Sequence, residues 1–325
     1  MIIAVIYYLL ITITTLLLLF LVITTIVAAC IKLILEPVKG VCKSNARLDN
    51  KIVLVTGGNQ GIGLETARDL ASRGAKVVIA CRDGEKSAKA IADIIKTTGN
   101  ENIEYKYLDL SKFSSVRQFA EDFNSSYDRL DILINNAGCA GLKHQASEDG
   151  IDIVMQVNYL GPFLLTNLLL DKMKASESGR IVIVSSFLHL YARLSPNSLD
   201  GLHTTSQFMK YCNSKLCDVL WTKALAKRLP NNVTVNCLHP GVVKTDIFRR
   251  IYTPFLKWLM FLLDVMNFKT PAEGAQTSIY LAVSEDVAGV NGKYFMDCKE
   301  AHSSHFANNE ELVEKIWNKS LMMTS

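Results

Sequence analysis

"KIVLVTGGNQGIGLETARDLASRGAKVVIAC", residues 51–81, contains two short apolar runs separated by a glycine-rich turn and an amphipathic stretch that closes at Gly74. The runs "KIVLVT" and "KVVIAC" are rich in β-branched residues and lack polar alternation, which predicts strands buried on both faces. "GIGLETARDLASRG" between them has the periodicity of a helix, so the unit reads as βαβ. Within "TGGNQGIG", Gly57, Gly61 and Gly63 stand where the strand passes into the helix. Glycine there permits a tight turn and close backbone approach, and the free N–H groups of the helix start suit an anion such as a pyrophosphate. The triplet alone would be weak; its place between a strand and a helix gives it meaning.

The same rhythm continues downstream. Helices are predicted over 84–97, 112–128, 150–175 and 207–229, and strands in "IEYKYLDL" (103–110), "DILINNAG" (131–138), "RIVIVSS" (180–186) and "VTVNCLHPG" (233–241). Alternation of this kind predicts an α/β fold, a doubly wound parallel sheet of Rossmann type with about seven strands and helices on both faces. Two segments interrupt it. Residues 187–206, "FLHLYARLSPNSLDGLHTTS", form a long loop, and residues 251–268, "IYTPFLKWLMFLLDVMNF", are strongly apolar but broken by Lys257 and Asp264. The second could be a core helix, a lid over an apolar pocket, or a second membrane contact; its length argues against a span. "NNEELVEKIWNKSL" near the end reads as an amphipathic helix packed on the surface.

The chain has 325 residues, 49% of them hydrophobic, and a net charge of only +4 without a long basic run, so nucleic acid is a poor partner. Its eight cysteines are scattered and form no CxxC, which fits free thiols in a reducing compartment. The six histidines include His302 and His305 at i and i+3 but show no second-ligand pattern, and no metal site is expected. Residues 1–35 are different in kind, because no charged side chain appears before Lys32. Roughly 20 apolar residues cross a bilayer, whereas a secretory signal has a basic start and an apolar core of about 7–15 residues. A retained transmembrane anchor is therefore expected, followed by a polar linker (36–50) and one domain (51–325). The basic flank of Lys32, Lys39, Lys43 and Arg47 against Glu36 and Asp49 predicts a domain in the cytosol.

Two further features carry chemistry. Cys81 and Arg82 stand at the end of the second strand, where a carboxylate would accept hydrogen bonds from the adenosine ribose of NAD. A guanidinium instead pairs with the 2′-phosphate of NADP, unless Arg82 merely points to solvent beside Asp83. In "YCNSK" (211–215), Tyr211 and Lys215 lie at i and i+4 and share one helical face. A phenol with an ordinary pKa near 10 stays protonated at neutral pH, and a nearby ammonium favours its phenolate.

These motifs occur in one order: T-G-x-x-x-G-x-G at 56–63, N-N-A-G at 135–138, a serine after the fifth strand, Y-x-x-x-K at 211–215 and P-G at 240–241. From about Lys51 to Lys299 the chain resembles the short-chain dehydrogenase/reductase family. The resemblance implies that Tyr211 is the acid/base, Lys215 its electrostatic partner, Ser186 rather than Ser185 the second contact to the substrate oxygen, and Asn158 a link to Lys215 through water. It implies further that Gly57, Gly61, Ile62, Gly63, Arg82, Asp109, Leu110, Asn136, Ala137, Gly138, Pro240, Gly241, Val243 and Thr245, with Tyr211 and Lys215, hold the cofactor.

Ser186 and Tyr211 are 25 residues apart, wider than in compact members. That loop, with "YCNSKL", "LHPGVVKT" and "KTPAEGAQT", is similar to the retinol dehydrogenase branch. The expectation is a single-pass membrane enzyme, in the endoplasmic reticulum with its domain facing the cytosol, that uses NADP(H) to interconvert a lipophilic carbonyl and its alcohol. Retinal and retinol lead, steroids or fatty and lipid-peroxidation aldehydes are alternatives, and a non-catalytic nucleotide-binding scaffold is the reading from another class. An oligomer is compatible with the sequence. Sequons at Asn124, Asn232 and Asn318 stay unmodified if the domain is cytosolic.

Overall fold

The computed structural model describes residues 2–35, 39–142, 145–243 and 269–325. Thr245 and the apolar segment 251–268 lie outside the described residues. The sheet is built from β1 (Ile52–Thr56), β2 (Lys76–Cys81), β3 (Ile103–Tyr107), β4 (Ile132–Asn135), β5 (Gly179–Val184), β6 (Val233–His239) and β7 (Tyr294–Met296), all parallel. A two-residue strand, β8 (Lys299–Glu300), turns back antiparallel on β7. The order β3-β2-β1-β4-β5-β6-β7-β8 places β1 between β2 and β4. The chain therefore winds outward in both directions from β1, and a crevice opens where the carboxyl ends of β1 and β4 part.

Alternation along the strands feeds two cores. Val53, Val55, Val77 and Ile79 pack with α2 (Gly61–Ser72), α3 (Gly84–Thr98) and α8 (Pro271–Val283) through Ala67, Leu70, Ile94 and Ile279. Leu54, Val78 and Leu133 point the other way, toward α4 (Phe113–Ser126), α6 (Gly161–Lys174), α7 (Gln207–Ala226) and α9 (Glu310–Thr324), where Phe163, Trp221 and Trp317 lie. Apolar side chains on both faces of each strand explain why the strand sequences show no polar alternation.

The helix predicted over 150–175 is divided. A short α5 (Ile153–Met155) gives way to a π-helical turn, Gln156–Leu160, before α6 begins. Pro162 has no N–H to donate to the carbonyl of Asn158 four residues earlier, and the Gly161 N–H reaches back five residues to the Gln156 carbonyl. A π-turn is the local answer to a broken i→i+4 ladder, and it carries Asn158.

Ahead of the domain, α1 (Ile2–Leu35) contains a stretch, Val5–Val27, long and apolar enough to cross a membrane. The hydroxyls of Thr12, Thr14, Thr15, Thr24 and Thr25 all donate to carbonyls three or four residues earlier in the helix. Those hydroxyls are thereby satisfied without water, the condition hydrocarbon imposes. A second apolar stretch, Ile153–Lys174, is also long and apolar enough but is mostly buried in the domain, where it is core.

The polar stretch after α1 does not stand off from the domain in its described part. Lys39 Nζ meets Glu273 Oε1 at 2.8 Å, and the N–H groups of Gly40 and Cys42 donate to Asp297 Oδ1 (3.1 Å) and Gln276 Oε1 (3.0 Å). Arg73 Nη1 donates to the Ser44 and Ala46 carbonyls, and Leu48 is buried in the core. Gly40 is needed for the contact, since a Cβ there would fall 2.1 Å from the Asp297 carbonyl carbon.

Candidate active site

The glycine turn forms the floor of the crevice. Gly57 and Gly61 have φ of 66° and 57°, left-handed values that favour glycine. Gln60 caps α2 without a side-chain hydrogen bond, so the amides of the first turn stay open for an anion. A Cβ on Gly63 would come within 2.3 Å of the Gly57 carbonyl oxygen.

Thr56 Oγ1 accepts the N–H groups of Asn136 (3.0 Å) and Ala137 (3.1 Å), and Asn136 Nδ2 donates to the Thr56 carbonyl (2.9 Å). These bonds draw the backbone of 136–138 away from the sheet, which is why β4 ends at Asn135 and not at Gly138. Ile62, Asn136, Gly138, Pro240, Gly241 and Val243 line one cavity with Ser186, Tyr211 and Lys215.

The adenine-side residues are more varied. Leu110 and Asp109 are buried just beyond the end of β3, and Asp109 Oδ1 is taken by the N–H and hydroxyl of Ser111. Arg82 is exposed at the end of β2. Asp83 beside it caps α3, accepting from the Lys86 N–H. The open α2 terminus, the tight glycine cradle and the buried polar atoms of the cavity fit a dinucleotide.

Tyr211 and Lys215 are both buried on α7, with Lys215 Nζ 5.9 Å from the phenol ring centre. Ser186 lines the same cavity as Tyr211, its Oγ accepts the Leu188 N–H at 3.2 Å, and its hydroxyl lies close enough to draw the phenol's pKa down. The neighbouring Ser185 also lines the cavity, but its hydroxyl donates to the Lys215 carbonyl at 2.8 Å. Burial pushes the Tyr211 phenol above its ordinary pKa, outweighing the downward pull of Lys215 and of Ser186. The ammonium thus moderates an upward shift instead of producing a net downward one.

Lys215 itself donates to the Val184 carbonyl (2.8 Å) and to Asp218 Oδ2 (2.9 Å). Burial opposes its charge, but Asp218 and Tyr211 hold its pKa above the ordinary value. Asn158 Oδ1 accepts the Cys139 N–H at 2.8 Å while Nδ2 donates to the Cys139 carbonyl and the Ser214 hydroxyl, both at 3.0 Å. Its side chain ties the N-N-A-G strand end to α7.

Three residues around this centre escape motif reading. Asp218 is buried with Oδ1 unpartnered, and burial pushes its carboxyl up to about 7 against the pull of Lys215. His189 is buried in the long loop; Nδ1 lies 2.6 Å from the Ser186 carbonyl, and Nε2 accepts the Ser304 N–H at 3.0 Å. That pair of partners requires the neutral ring with its proton on Nδ1, and burial lowers its pKa. His239, at the end of β6, lines the cavity with Nδ1 unpartnered, and burial, with Lys269 nearby, lowers its pKa to about 4. Spacing offers a signal only for Asp218, which shares a helical face with Lys215.

Comparison with known proteins agrees with this geometry. The family model described as short chain dehydrogenase matches residues 51–254. Retinol dehydrogenase 11 of Mus musculus and retinol dehydrogenase 12 of Homo sapiens are each 44% identical over 282 residues, covering 86% of this chain and 88% of theirs. Among solved structures, a short chain dehydrogenase from Shigella flexneri complexed with NADP is 26% identical with a TM-score of 0.62, covering 79% of this chain and all of its own. An uncharacterized protein from Mycobacterium paratuberculosis reaches a TM-score of 0.69 at 28% identity, covering 86% of this chain and 95% of its own. With a glycine cradle, a buried tyrosine–lysine pair and these relatives, the chain belongs to the short-chain dehydrogenases, in their retinol dehydrogenase branch.

Proposed function

We propose that the protein is a membrane-anchored, NADP(H)-dependent oxidoreductase that interconverts a lipophilic carbonyl and its alcohol, with retinal and retinol as the leading pair. The observation that carries the chemistry is Tyr211 buried beside Lys215 and sharing one cavity with Ser186 at the carboxyl edge of the sheet. Bound nicotinamide supplies or takes the hydride. In the reducing direction Tyr211 gives its proton to the substrate oxygen, while the Ser186 hydroxyl orients that oxygen. Lys215 stays charged through Asp218 and limits the cost of phenolate formation. The reverse reaction uses the same groups with the proton moving to Tyr211. Asn158 fixes the strand end that borders the cavity.

Arg82 supports NADP over NAD: it is exposed at the end of β2, where the adenosine ribose is expected. The structural relatives solved with NADP and NADPH fit the same preference. The apolar, internally satisfied Val5–Val27 helix supports a membrane anchor, and the endoplasmic reticulum with a cytosolic domain is the proposed location.

The test is a substrate panel with purified full-length protein: all-trans-retinal, a 3-ketosteroid and a medium-chain aldehyde, each with NADPH and with NADH. Retinal with NADPH is expected to give the highest kcat/KM, and poorer turnover of retinal than of the other two would remove the retinoid assignment. Tyr211→Phe is expected to lower carbonyl reduction by about 10²–10⁴-fold with cofactor binding retained. Full activity of that variant would remove Tyr211 as the acid, whereas no turnover of any of the three substrates by the wild type, with cofactor bound, would favour a scaffold.

A further inference from the structure

Outside α1, the exposed large apolar side chains among the described residues are few, and they are unevenly placed. Six of them, Val41, Leu190, Tyr191, Phe208, Val242 and Met296, lie on segments that line the catalytic cleft or pack beside them: Val242 belongs to the lining, and Met296 pairs with the lining residue His239. Leu190 and Tyr191 follow the end of β5 just beyond Ser186, Val242 follows β6, and Met296 ends β7. Phe208 lies on the first turn of α7, three residues before Tyr211, and Val41 belongs to the segment strapped along the domain. Scattered single apolar residues need no explanation, but a rim of them around one opening does.

A run of contacts, continued by the backbone, leads from this rim to the apolar helix. Gly40 packs on Asp297, Asp297 pairs with Lys269 at 2.5 Å, and the Lys269 stem lies so close over Gly241 that a Cβ there would be 2.6 Å from it. The strap therefore begins beside the Pro240–Val243 wall of the cleft. Lys39, at its start, is four residues past Leu35, the end of α1, and four peptide steps reach roughly 14 Å at full extension. Wherever the helix axis points, its end stays within that distance of Lys39. The strap is tied at Lys39, Gly40, Cys42, Ser44 and Ala46, so the domain is held with one chosen edge toward the helix.

We propose that the rim of the catalytic cleft is a membrane-docking face that rests on the lipid surface and exchanges substrate with the bilayer. The proposal rests on the membrane-anchored reading given above. The occupant is lipid because the face is continuous with the chain's own apolar helix, and because six of its exposed side chains are apolar, set among charged neighbours such as Lys43, Arg193 and Lys299 that suit a headgroup layer. Seated this way, an apolar substrate passes from acyl chains to Tyr211 without crossing water.

The full-length protein would be reconstituted in phosphatidylcholine vesicles that contain a phosphatidylcholine with a diazirine in its acyl chain. After illumination, labelled peptides would be mapped by mass spectrometry. Labelling is expected on α1 and on peptides holding Val41, Leu190–Tyr191 and Met296, and not on Leu321 and Met322, which are equally exposed on α9. Labelled α1 with an unlabelled rim, or equal labelling of α9, would overturn the proposal. In a parallel sample treated with a bifunctional crosslinker, links joining rim peptides of two copies would also overturn it, in favour of a self-interface. Failure of the protein to float with the vesicles would refute the anchor itself, a separate result.

A kinetic arm uses Val41→Asp with Met296→Asp, both outside the catalytic machinery. Turnover of a vesicle-dissolved carbonyl is expected to fall by about tenfold, the effect of roughly 1.4 kcal/mol in docking. Turnover of a water-soluble aldehyde in the same vesicles should stay within about twofold, a difference of roughly 0.4 kcal/mol. An equal effect on both substrates would count against docking.

Discussion

At the scale of single residues, Tyr211 and Lys215 are legible in the sequence because their four-residue spacing is unusual only in combination with the glycine turn and Ser186. Asp218 is not, since an aspartate on a helix ordinarily faces solvent, and only the packed structure shows it 1% exposed. Its position makes a prediction. The carboxylate raises the pKa of both Lys215 and Tyr211, so Asp218→Asn should lower both. Because the proposed reduction draws its proton from Tyr211, the alkaline limb of the pH–rate profile should move to lower pH in the variant. Asp218 itself takes up a proton near 7, so wild type and variant carry the same charge at position 218 below that pH. Their profiles should converge on the acid side and separate above about pH 7. Parallel profiles at all pH values would mean that Asp218 only fills space.

Strands and helices are legible to different degrees. The strands announce themselves as apolar runs, since a parallel sheet buried on both faces leaves no other composition. Their ends are harder to place: β4 stops at Asn135, short of the predicted end at Gly138, because Thr56 and Asn136 compete for its backbone. The π-turn through Asn158 is hidden as well, as its cause is a single absent N–H at Pro162 within a stretch of good helical periodicity. The C-terminal helix packs as its amphipathic pattern predicts. Trp317 on α9 meets Phe163 edge-on at 5.1 Å and lies under the Arg228 guanidinium at 4.5 Å. Trp317→Ala should cost about 3–5 kcal/mol, which lowers Tm by roughly 10 °C in detergent. Trp317→Phe, which keeps an aromatic contact to Phe163, should recover most of that loss. A Tm unchanged in Trp317→Ala would show that α9 is not part of the cooperative domain.

For the whole molecule, the doubly wound sheet and a separate apolar helix follow from composition and rhythm, but the way they are joined does not. Residues 39–48 look like a linker because polar side chains and Gly40 carry no periodic signal. Their partners, Glu273, Gln276 and Asp297, lie more than 230 residues away in sequence. For the proposed membrane anchor, orientation rests on simpler physics. The basic residues follow the apolar helix, and Lys39 among them is fixed to the domain by Glu273, so the flank and the domain must share one side. If that side is the cytosol, the glycosylation machinery never meets Asn124, Asn232 or Asn318. Asn232 shows that its sequon serves the fold: both side-chain N–H groups donate to the Lys174 and Ser176 carbonyls, at 3.0 and 2.8 Å. Full-length protein made in the presence of microsomes should therefore show no mobility change on endoglycosidase treatment. Protease added to the intact vesicles should digest the domain and leave only a fragment containing α1. A glycan-dependent shift, or a domain protected until the vesicles are opened with detergent, would reverse the topology and put the catalytic cleft on the lumenal face.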